Sequence, residues 1–160
     1  VATGFFGEPF LPNIISKDFN GRIIHSNEFK NPKEYQGKKV VVIGGSHNAV
    51  EITSNVAFYA QSVFQITSKP FWPFPRFLPT NPKSSNSSYL PIDLLFYQRP
   101  LENTFEDETF INTIEKNTKL YEYFKQFHNN SYDYIPKNPT LPPYVAISDY
   151  YTQMFQSGKI

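Results

Sequence analysis

VVVIGGSHNAVEI, residues 40–52, runs from four apolar residues through two glycines into a segment with helical spacing. This order of strand, tight turn and helix serves two unrelated chemistries. One is the phosphate-binding turn of a dinucleotide-binding unit. The other is a nucleophile elbow, in which the turn lifts a serine, here Ser46, as the acyl acceptor. The surrounding residues have to distinguish between these two interpretations of the turn.

The residues on either side of this turn predict a βαβ unit over residues 40–69. The β-branched run of residues 40–43 is typical of a strand buried on both faces of a parallel sheet. After the turn, apolar residues recur at helical spacing: Ala49, Ile52, Val56 and Ala60. Residues 62–67 then alternate like a second strand. We therefore expect an α/β fold with a parallel sheet.

The segment before the turn is mostly polar. Residues 22–26 are predicted to form a short strand. Asn31 and Pro32 mark a turn or the start of a helix, and Gly37 marks where that element stops. This segment therefore leads into the first strand of the βαβ unit.

Regular patterns are sparser after residue 68. Residues 69–88 are rich in proline and aromatic residues and then in serine, which predicts a loop. Residues 107–127 regain helical spacing on one apolar face: Phe110, Ile114, Tyr121 and Phe124. A last helix is predicted to begin at Ser148 as N-cap and to end before Gly158.

Length and composition bound the classes of function. The 160 residues suffice for one domain, and a net charge of +1 gives no electrostatic case for a nucleic acid or an anionic membrane as partner. The absence of cysteine excludes disulfides, thiolate zinc sites and a cysteine nucleophile. No apolar run approaches the ~20 residues of a spanning helix. We expect a cytoplasmic protein without membrane association, and no metal site, because the three histidines lack ligand spacing.

The elbow interpretation requires the pattern G-x-S-x-G. Gly44 and Ser46 match it, but Asn48 stands where the last glycine allows the helix to approach the strand. An acid and a histidine must also follow, and His128 is the one histidine after the serine. A serine hydrolase that uses Ser46 is therefore the disfavoured alternative.

The phosphate-binding interpretation requires the pattern G-x-G-x-x-G, with alanine allowed last. Gly44 supplies the first glycine and Ala49 the last small residue, whereas Ser46 replaces the glycine that admits the pyrophosphate. The Ser46 hydroxyl could compensate by donating to a phosphate oxygen. Most of the affinity would come from the free N–H groups of Ser46, His47 and Asn48 at the helix start.

The end of the second strand favours NADPH over NADH. A unit that binds NAD carries an acidic residue about 20 positions after the turn, which holds the ribose 2′-hydroxyl. This sequence has Thr67, Ser68 and Lys69 there instead, and a cation beside hydroxyl groups suits a 2′-phosphate. The alternative is that Lys69 is only a solvated strand end.

A second motif lies upstream of the turn. Residues 19–29 fit F-x-G-x-x-x-H-x-x-x-[YF] at Phe19, Gly21, His25 and Phe29, and this fingerprint resembles that of the flavin-containing monooxygenases. Three further segments are similar to the same family: the A-T-G of Ala2, Thr3 and Gly4, residues 29–52, and residues 148–160. Phe29 favours this family over the Baeyer–Villiger monooxygenases, which typically have tryptophan there.

The resemblance implies an α/β, Rossmann-like NADPH-binding domain with a parallel sheet, truncated at both ends, plus a helical insertion. Residues 1–39 would be the linker and fingerprint segment that leads in from a missing FAD domain. Residues 40–160 would be the NADPH-binding domain, divided into a βαβ core (40–69), a loop and helical insertion (70–147) and a return helix (148–158).

The resemblance also implies the chemistry of the parent enzyme. In this family NADPH reduces FAD, and the reduced flavin uses O2 to oxygenate a small-molecule nucleophile at nitrogen or sulfur. The cofactors would be NADPH and FAD, with the FAD site mostly outside this sequence. This sequence would contribute no catalytic residue and would be inactive alone. The alternative is a non-catalytic remnant of a degraded or split gene.

The resemblance assigns the cofactor-binding residues, which are Gly44, Ser46, His47, Asn48, Ala49, Ser68, Lys69, Ala2, Thr3 and Gly4. His25 is interpreted as a structural or conformational residue and not as a general base. Residues 71–79 either line the nicotinamide or substrate channel or, as we favour, form a loop that packs its rings against the sheet. Arg76 is a further candidate for the 2′-phosphate.

Overall fold

A computed structural model describes residues 8–13, 18–96, 110–128, 134–141 and 143–160. The described residues form two short 3-10 helices, Ser26–Glu28 and Pro32–Tyr35. They also form strands and α-helices, in the order β1 (Lys39–Ile43), α1 (His47–Ala57), β2 (Ser62–Ile66), β3 (Trp72–Phe74), β4 (Phe77–Pro79), β5 (Tyr89–Pro91), α2 (Ile92–Phe96), α3 (Phe110–Lys125), β6 (Val145–Ile147) and α4 (Tyr151–Gln156). The α/β prediction is confirmed.

The predicted βαβ unit is present. Strands β1 and β2 pair in parallel, from Lys39 opposite Ser62 to Ile43 opposite Ile66. Helix α1 connects them and buries a run of small and apolar residues: Ala49, Val50, Thr53, Ser54, Val56 and Ala57. Because the two strands are parallel and in register, both of their carboxyl ends lie at one edge of the sheet.

The prediction that β1 is buried on both faces is wrong for the described part of the chain. Val40 and Val42 are half-buried, whereas Val41 and Ile43 are 56% and 51% exposed. The strand alternates because α1 covers one face of the β1–β2 pair and no described element covers the other. A β-branched run alone does not reveal how many faces are covered.

The loop predicted over residues 69–88 contains two strands, and that prediction is wrong. Strand β3 pairs in parallel with β6, and β4 pairs antiparallel with β5. The β3–β6 pair extends beyond the strands, since the N–H of Ser148 donates to the carbonyl of Phe74 at 2.8 Å. Prolines interrupt any local pattern in this segment, so its strands depend on partners distant in sequence.

The rings of residues 71–74 are core. Phe71, Trp72 and Phe74 are at most 1% exposed. Phe124 of α3 packs edge-on against Trp72 and Phe74, with ring centroids 5.6 and 4.9 Å apart. This agrees with the interpretation that the rings pack inside the protein, although they do so from a strand and not from a loop.

The C-terminal helix is shorter than predicted at its start. Ser148 lies just after β6, and its hydroxyl bonds that of Ser54 on α1 at 2.8 Å. It is therefore not the N-cap of α4, which is Tyr150. The predicted stop is confirmed: Gly158 has φ +70°, and the N–H of Lys159 donates to the carbonyl of Met154 at 3.0 Å, as in a Schellman motif.

The strand predicted over residues 22–26 is wrong, because a 3-10 helix starts at Ser26 with no strand before it in the described residues. The prediction of a turn or helix that starts at Asn31 and Pro32 and stops at Gly37 is confirmed. Asn31 caps the 3-10 helix Pro32–Tyr35, and Gly37 follows it with φ +69°.

Candidate functional site

The turn between β1 and α1 packs the strand end closely against the helix. Gly44 has φ +135°, a conformation that L side chains rarely adopt. A Cβ at this position would lie 3.2 Å from the Cβ of Ala49. A glycine at one position and a small residue at the other therefore let the chain turn directly into α1.

The first residues of α1 leave backbone donors open. Ser46 is the N-cap, and its side chain makes no capping hydrogen bond. The first bond of the helix runs from the N–H of Val50 to the carbonyl of Ser46 at 3.0 Å. Ser46, His47 and Asn48 are exposed, and within the described residues no acceptor meets their N–H groups. Such unpaired donors at a helix N-terminus attract anions.

The side chain of His47 is tied to β6. Its Nδ1 accepts a hydrogen bond from the N–H of Ile147 at 3.0 Å. A nitrogen that accepts cannot carry the proton, so the neutral ring holds its proton on Nε2. This contact fixes the first turn of α1 against the end of β6.

The second predicted part of the site lies beside the turn. The N–H of Gly44 donates to the carbonyl of Ile66 at 2.8 Å, which continues the β1–β2 pairing into the turn. The hydroxyl of Thr67 donates to the carbonyl of Lys69 at 2.7 Å and fixes the chain there. Ser68 and Lys69 are both exposed. The turn and residues 67–69 therefore lie side by side at one edge of the sheet.

Two contacts to this turn were missed by the sequence analysis. A Cβ on Gly45 would collide with the hydroxyl oxygen of Thr67. The side-chain amide of Gln65 donates to the carbonyl of Gly44 at 2.8 Å. The available signals were a second glycine in the turn and a polar residue two positions after Val63 on the same face of β2.

Comparisons with known proteins show which family this chain belongs to. The model of the flavin-binding monooxygenase-like (FMO-like) family matches residues 1–160. The chain belongs to this family. Flavin-containing monooxygenase iboF of Amanita muscaria is 38% identical over 69 residues, which are 40% of this chain and 13% of that protein.

Two further relatives match shorter or similar stretches. Trimethylamine monooxygenase of Pelagibacter ubique is 45% identical over 53 residues, 32% of this chain and 12% of that protein. Flavin-containing monooxygenase 5 of Rattus norvegicus is 37% identical over 76 residues, 45% of this chain and 14% of that protein. The matches thus span only a small part of each FMO-like relative.

The fingerprint residues of this FMO-like chain make local packing contacts. A Cβ on Gly21 would lie 2.6 Å from a ring carbon of Phe19, so the glycine gives that ring its space. The ring of Phe29 stacks on Tyr35 with centroids 5.8 Å apart. The A-T-G residues Ala2, Thr3 and Gly4 lie outside the described residues.

The fingerprint histidine caps a 3-10 helix. Nδ1 of His25 accepts from the N–H of Asn27 at 3.3 Å, and the Glu28 carboxylate accepts from the N–H of His25 at 3.3 Å. These reciprocal bonds form a capping box. The contacts agree with a structural interpretation of His25.

Arg76 is engaged by two carboxylates. Its guanidinium bonds Asp149 at 2.6 Å and Glu51 at 3.2 Å. Its backbone N–H also donates to Asp149 at 2.8 Å. The suggestion that Arg76 binds the 2′-phosphate is therefore not supported, because this cation already has two anionic partners.

The hydrolase alternative is not supported. His128 is buried among rings, with centroids 5.7 Å from Trp72 and 5.0 Å from Phe74. This burial lowers the pKa of His128 to about 4, although the Pro73 carbonyl offsets part of the effect. Ser46 is exposed, and no hydrogen bond between described residues joins its hydroxyl to a histidine.

Within the described ranges, none of the helices combines the length and the apolar character that crossing a membrane requires. The same residues contain no group of three or more His, Cys, Asp or Glu side chains placed to hold a metal ion.

Proposed function

We propose that this chain is the NADPH-binding part of a flavin-dependent monooxygenase that oxygenates soft nucleophiles at nitrogen or sulfur. Family membership supports the monooxygenase class. The observation that carries the cofactor assignment is the set of unpaired N–H groups of Ser46, His47 and Asn48 at the start of an 11-residue helix. These donors and the helix dipole suit a pyrophosphate.

The described residues fit this cofactor. Gly44 and Ala49 bring helix and strand together, so that the donors of the turn are open to a ligand. Ser46 replaces a glycine, but its hydroxyl is exposed and makes no capping bond, so it is free to donate to a phosphate oxygen. Ser68 and Lys69 are exposed beside the turn and would hold the 2′-phosphate.

The remaining chemistry would belong to the parent enzyme. NADPH, when bound, supplies the hydride that reduces a flavin. FAD would be held mainly by a domain other than the one described, and O2 and the substrate nucleophile would react there. We therefore expect this chain alone to bind NADPH without turnover.

The test is calorimetric titration of the chain with NADP+ and with NAD+. We expect at least tenfold preference for NADP+, equivalent to about 1.4 kcal/mol. Lys69→Gln should remove most of that preference by weakening NADP+ alone, since NAD+ has no 2′-phosphate. Lys83→Gln, at an exposed lysine in another loop, is the matched control and should retain it.

Two results would contradict the proposal. A folded chain that binds neither dinucleotide would favour the alternative of a non-catalytic remnant. Equal binding of NADP+ and NAD+ would show that the chain gains no affinity from the 2′-phosphate and would leave Lys69 as a solvated strand end.

A further inference from the structure

Gln65 interrupts the packed face of β2. Strand residues two apart share a face, so Gln65 lies on the same side as Val63. Val63 is 3% exposed and packs with Val56 and Ala57 of α1. Gln65 is half-buried at the end of this face, where an apolar side chain would extend the packing. An amide in this place requires an explanation.

The amide makes one hydrogen bond. Its Nε2 donates to the carbonyl of Gly44 at 2.8 Å. Its Oε1 is buried and has no hydrogen-bond partner among the described residues. A buried acceptor without a partner is unfavourable. The donor bond to the turn is thus the contact that favours glutamine at this position.

This bond sets the direction of a backbone donor. The described peptides are all trans, so the carbonyl of Gly44 and the N–H of Gly45 point in opposite directions. Gln65 holds the carbonyl toward β2, which directs the Gly45 N–H away from β2. Within the described part of the chain that N–H meets no acceptor.

The Gly44–Gly45 peptide is easily reversed because neither flanking residue has a Cβ. The reversed peptide would present a carbonyl oxygen to an anion in the turn and would withdraw one N–H donor. An opposing hydrogen bond to the carbonyl prevents that reversal. The turn of this chain needs such a restraint more than a turn with a single glycine does.

We propose that Gln65 is a positioning residue that holds the Gly44–Gly45 peptide with its N–H toward the pyrophosphate of the bound dinucleotide. This inference rests on the proposed NADPH-binding function. It adds Gly45 N–H to the donors of Ser46, His47 and Asn48, and it assigns to Gln65 a role that requires no contact with the ligand.

The experiment compares two ligands in two variants of the chain. Gln65→Met keeps the length of the side chain without the donor, and Gln65→Glu keeps its shape but repels the Gly44 carbonyl. Each is titrated with NADP+ and with adenosine 2′-monophosphate, which lacks the pyrophosphate. We expect NADP+ to bind at least fivefold more weakly and adenosine 2′-monophosphate to bind within twofold of the parent chain.

Two controls exclude a general loss of structure. Gln61→Met changes an exposed glutamine just before the same strand and should leave both affinities unchanged. In the parent chain, the amide proton resonance of Gly45 should move downfield on addition of NADP+ but not of adenosine 2′-monophosphate. If neither Gln65 variant folds, this last measurement still tests the inference, because a Gly45 N–H that does not respond to bound NADP+ overturns it.

The outcomes separate the two claims. A folded parent chain that does not bind NADP+ overturns the proposed function, and this inference falls with it. Normal NADP+ binding by the parent chain with no weakening in the variants overturns the inference alone. Equal weakening of both ligands, or a Gly45 resonance that does not respond to bound NADP+, also overturns it.

Discussion

The βαβ unit and the aromatic core, formed by β3, β6 and α3, use their side chains in opposite ways. In the βαβ unit, Phe64 of β2 is 62% exposed, and backbone donors remain open at the turn. In the aromatic core, Trp72, Phe74 and Phe124 are at most 1% exposed. One region thus leaves backbone donors open, and the other supplies much of the buried apolar surface.

A polar stripe on α1 joins the two regions. His47, Glu51 and Ser54 recur at helical spacing. His47 bonds the backbone of Ile147, and Ser54 bonds the hydroxyl of Ser148 just beyond β6. Glu51 pairs with Arg76, which follows β3. These three contacts therefore anchor the helix that follows the open turn to the aromatic core.

Removing a ring from the aromatic core should destabilise the chain more than any change at the turn. Trp72→Ala deletes a side chain that is 1% exposed. We expect the free energy of unfolding to fall by about 3–5 kcal/mol, as for other large-to-small changes in cores. Urea denaturation followed by circular dichroism would measure it.

The matched control substitutes an exposed ring five residues after Trp72. Phe77 is 55% exposed, and Phe77→Ala should change the free energy of unfolding by less than about 0.5 kcal/mol. A loss below about 1 kcal/mol for Trp72→Ala would show that the aromatic region contributes little to stability.

Acid should affect the aromatic core through His128. Burial lowers the pKa of His128 to about 4, because the charged ring is poorly solvated between Trp72 and Phe74. The unfolded chain takes up this proton near pH 6.5, whereas the folded chain does not until about pH 4. Stability is therefore lost as the pH falls from 6.5 toward 4.

This loss is measurable against a variant that cannot titrate. Between pH 7 and pH 5 the parent chain should lose about 2 kcal/mol of stability relative to His128→Phe. Phe127→Leu, which keeps the histidine, should retain the pH dependence of the parent chain. Parallel pH profiles for the parent chain and His128→Phe would contradict the burial of a neutral imidazole.

The same contrast explains which parts of the fold were predictable. The βαβ unit followed from local patterns, since the alternation of β2 and the spacing of α1 both lie within residues 47–66. Strand β3 did not, because its partner β6 is more than 70 residues away and Pro73 hides its pattern. Long-range pairing leaves no periodic signal in a three-residue strand.

Prediction of the site shows the same limit. The glycine spacing was sufficient to locate the turn and its open donors. The sequence signals marked the positions of the Thr67 contact and the Gln65 bond but not their partners, since both are side-chain contacts made across the parallel pair. The ion pairs of Arg76 were not predictable for a similar reason, because its partner Asp149 is 73 residues away. Charge alone does not distinguish a free cation from a paired one.

A substitution at Gly45 tests the packing of the turn itself. A Cβ on Gly45 collides with the Thr67 hydroxyl, which is held by its bond to the Lys69 carbonyl. Gly45→Ala should therefore lower the free energy of unfolding by about 1–2 kcal/mol. Thr67→Ala removes the colliding atom. The free energy of unfolding of the double variant should therefore fall by at least about 1 kcal/mol less than the sum of the decreases in the two single variants.

Gly37→Ala supplies the control for this coupling. Gly37 has a positive φ like a typical turn glycine, but a Cβ added there would meet no atom within 4 Å beyond its chain neighbours. The decrease in the free energy of unfolding caused by Gly37→Ala should add to that caused by Thr67→Ala within about 0.5 kcal/mol, because the two sites share no contact. Additive losses for Gly45→Ala and Thr67→Ala as well would mean that the turn and β2 are not packed together, and the open donors would then owe their placement to α1 alone.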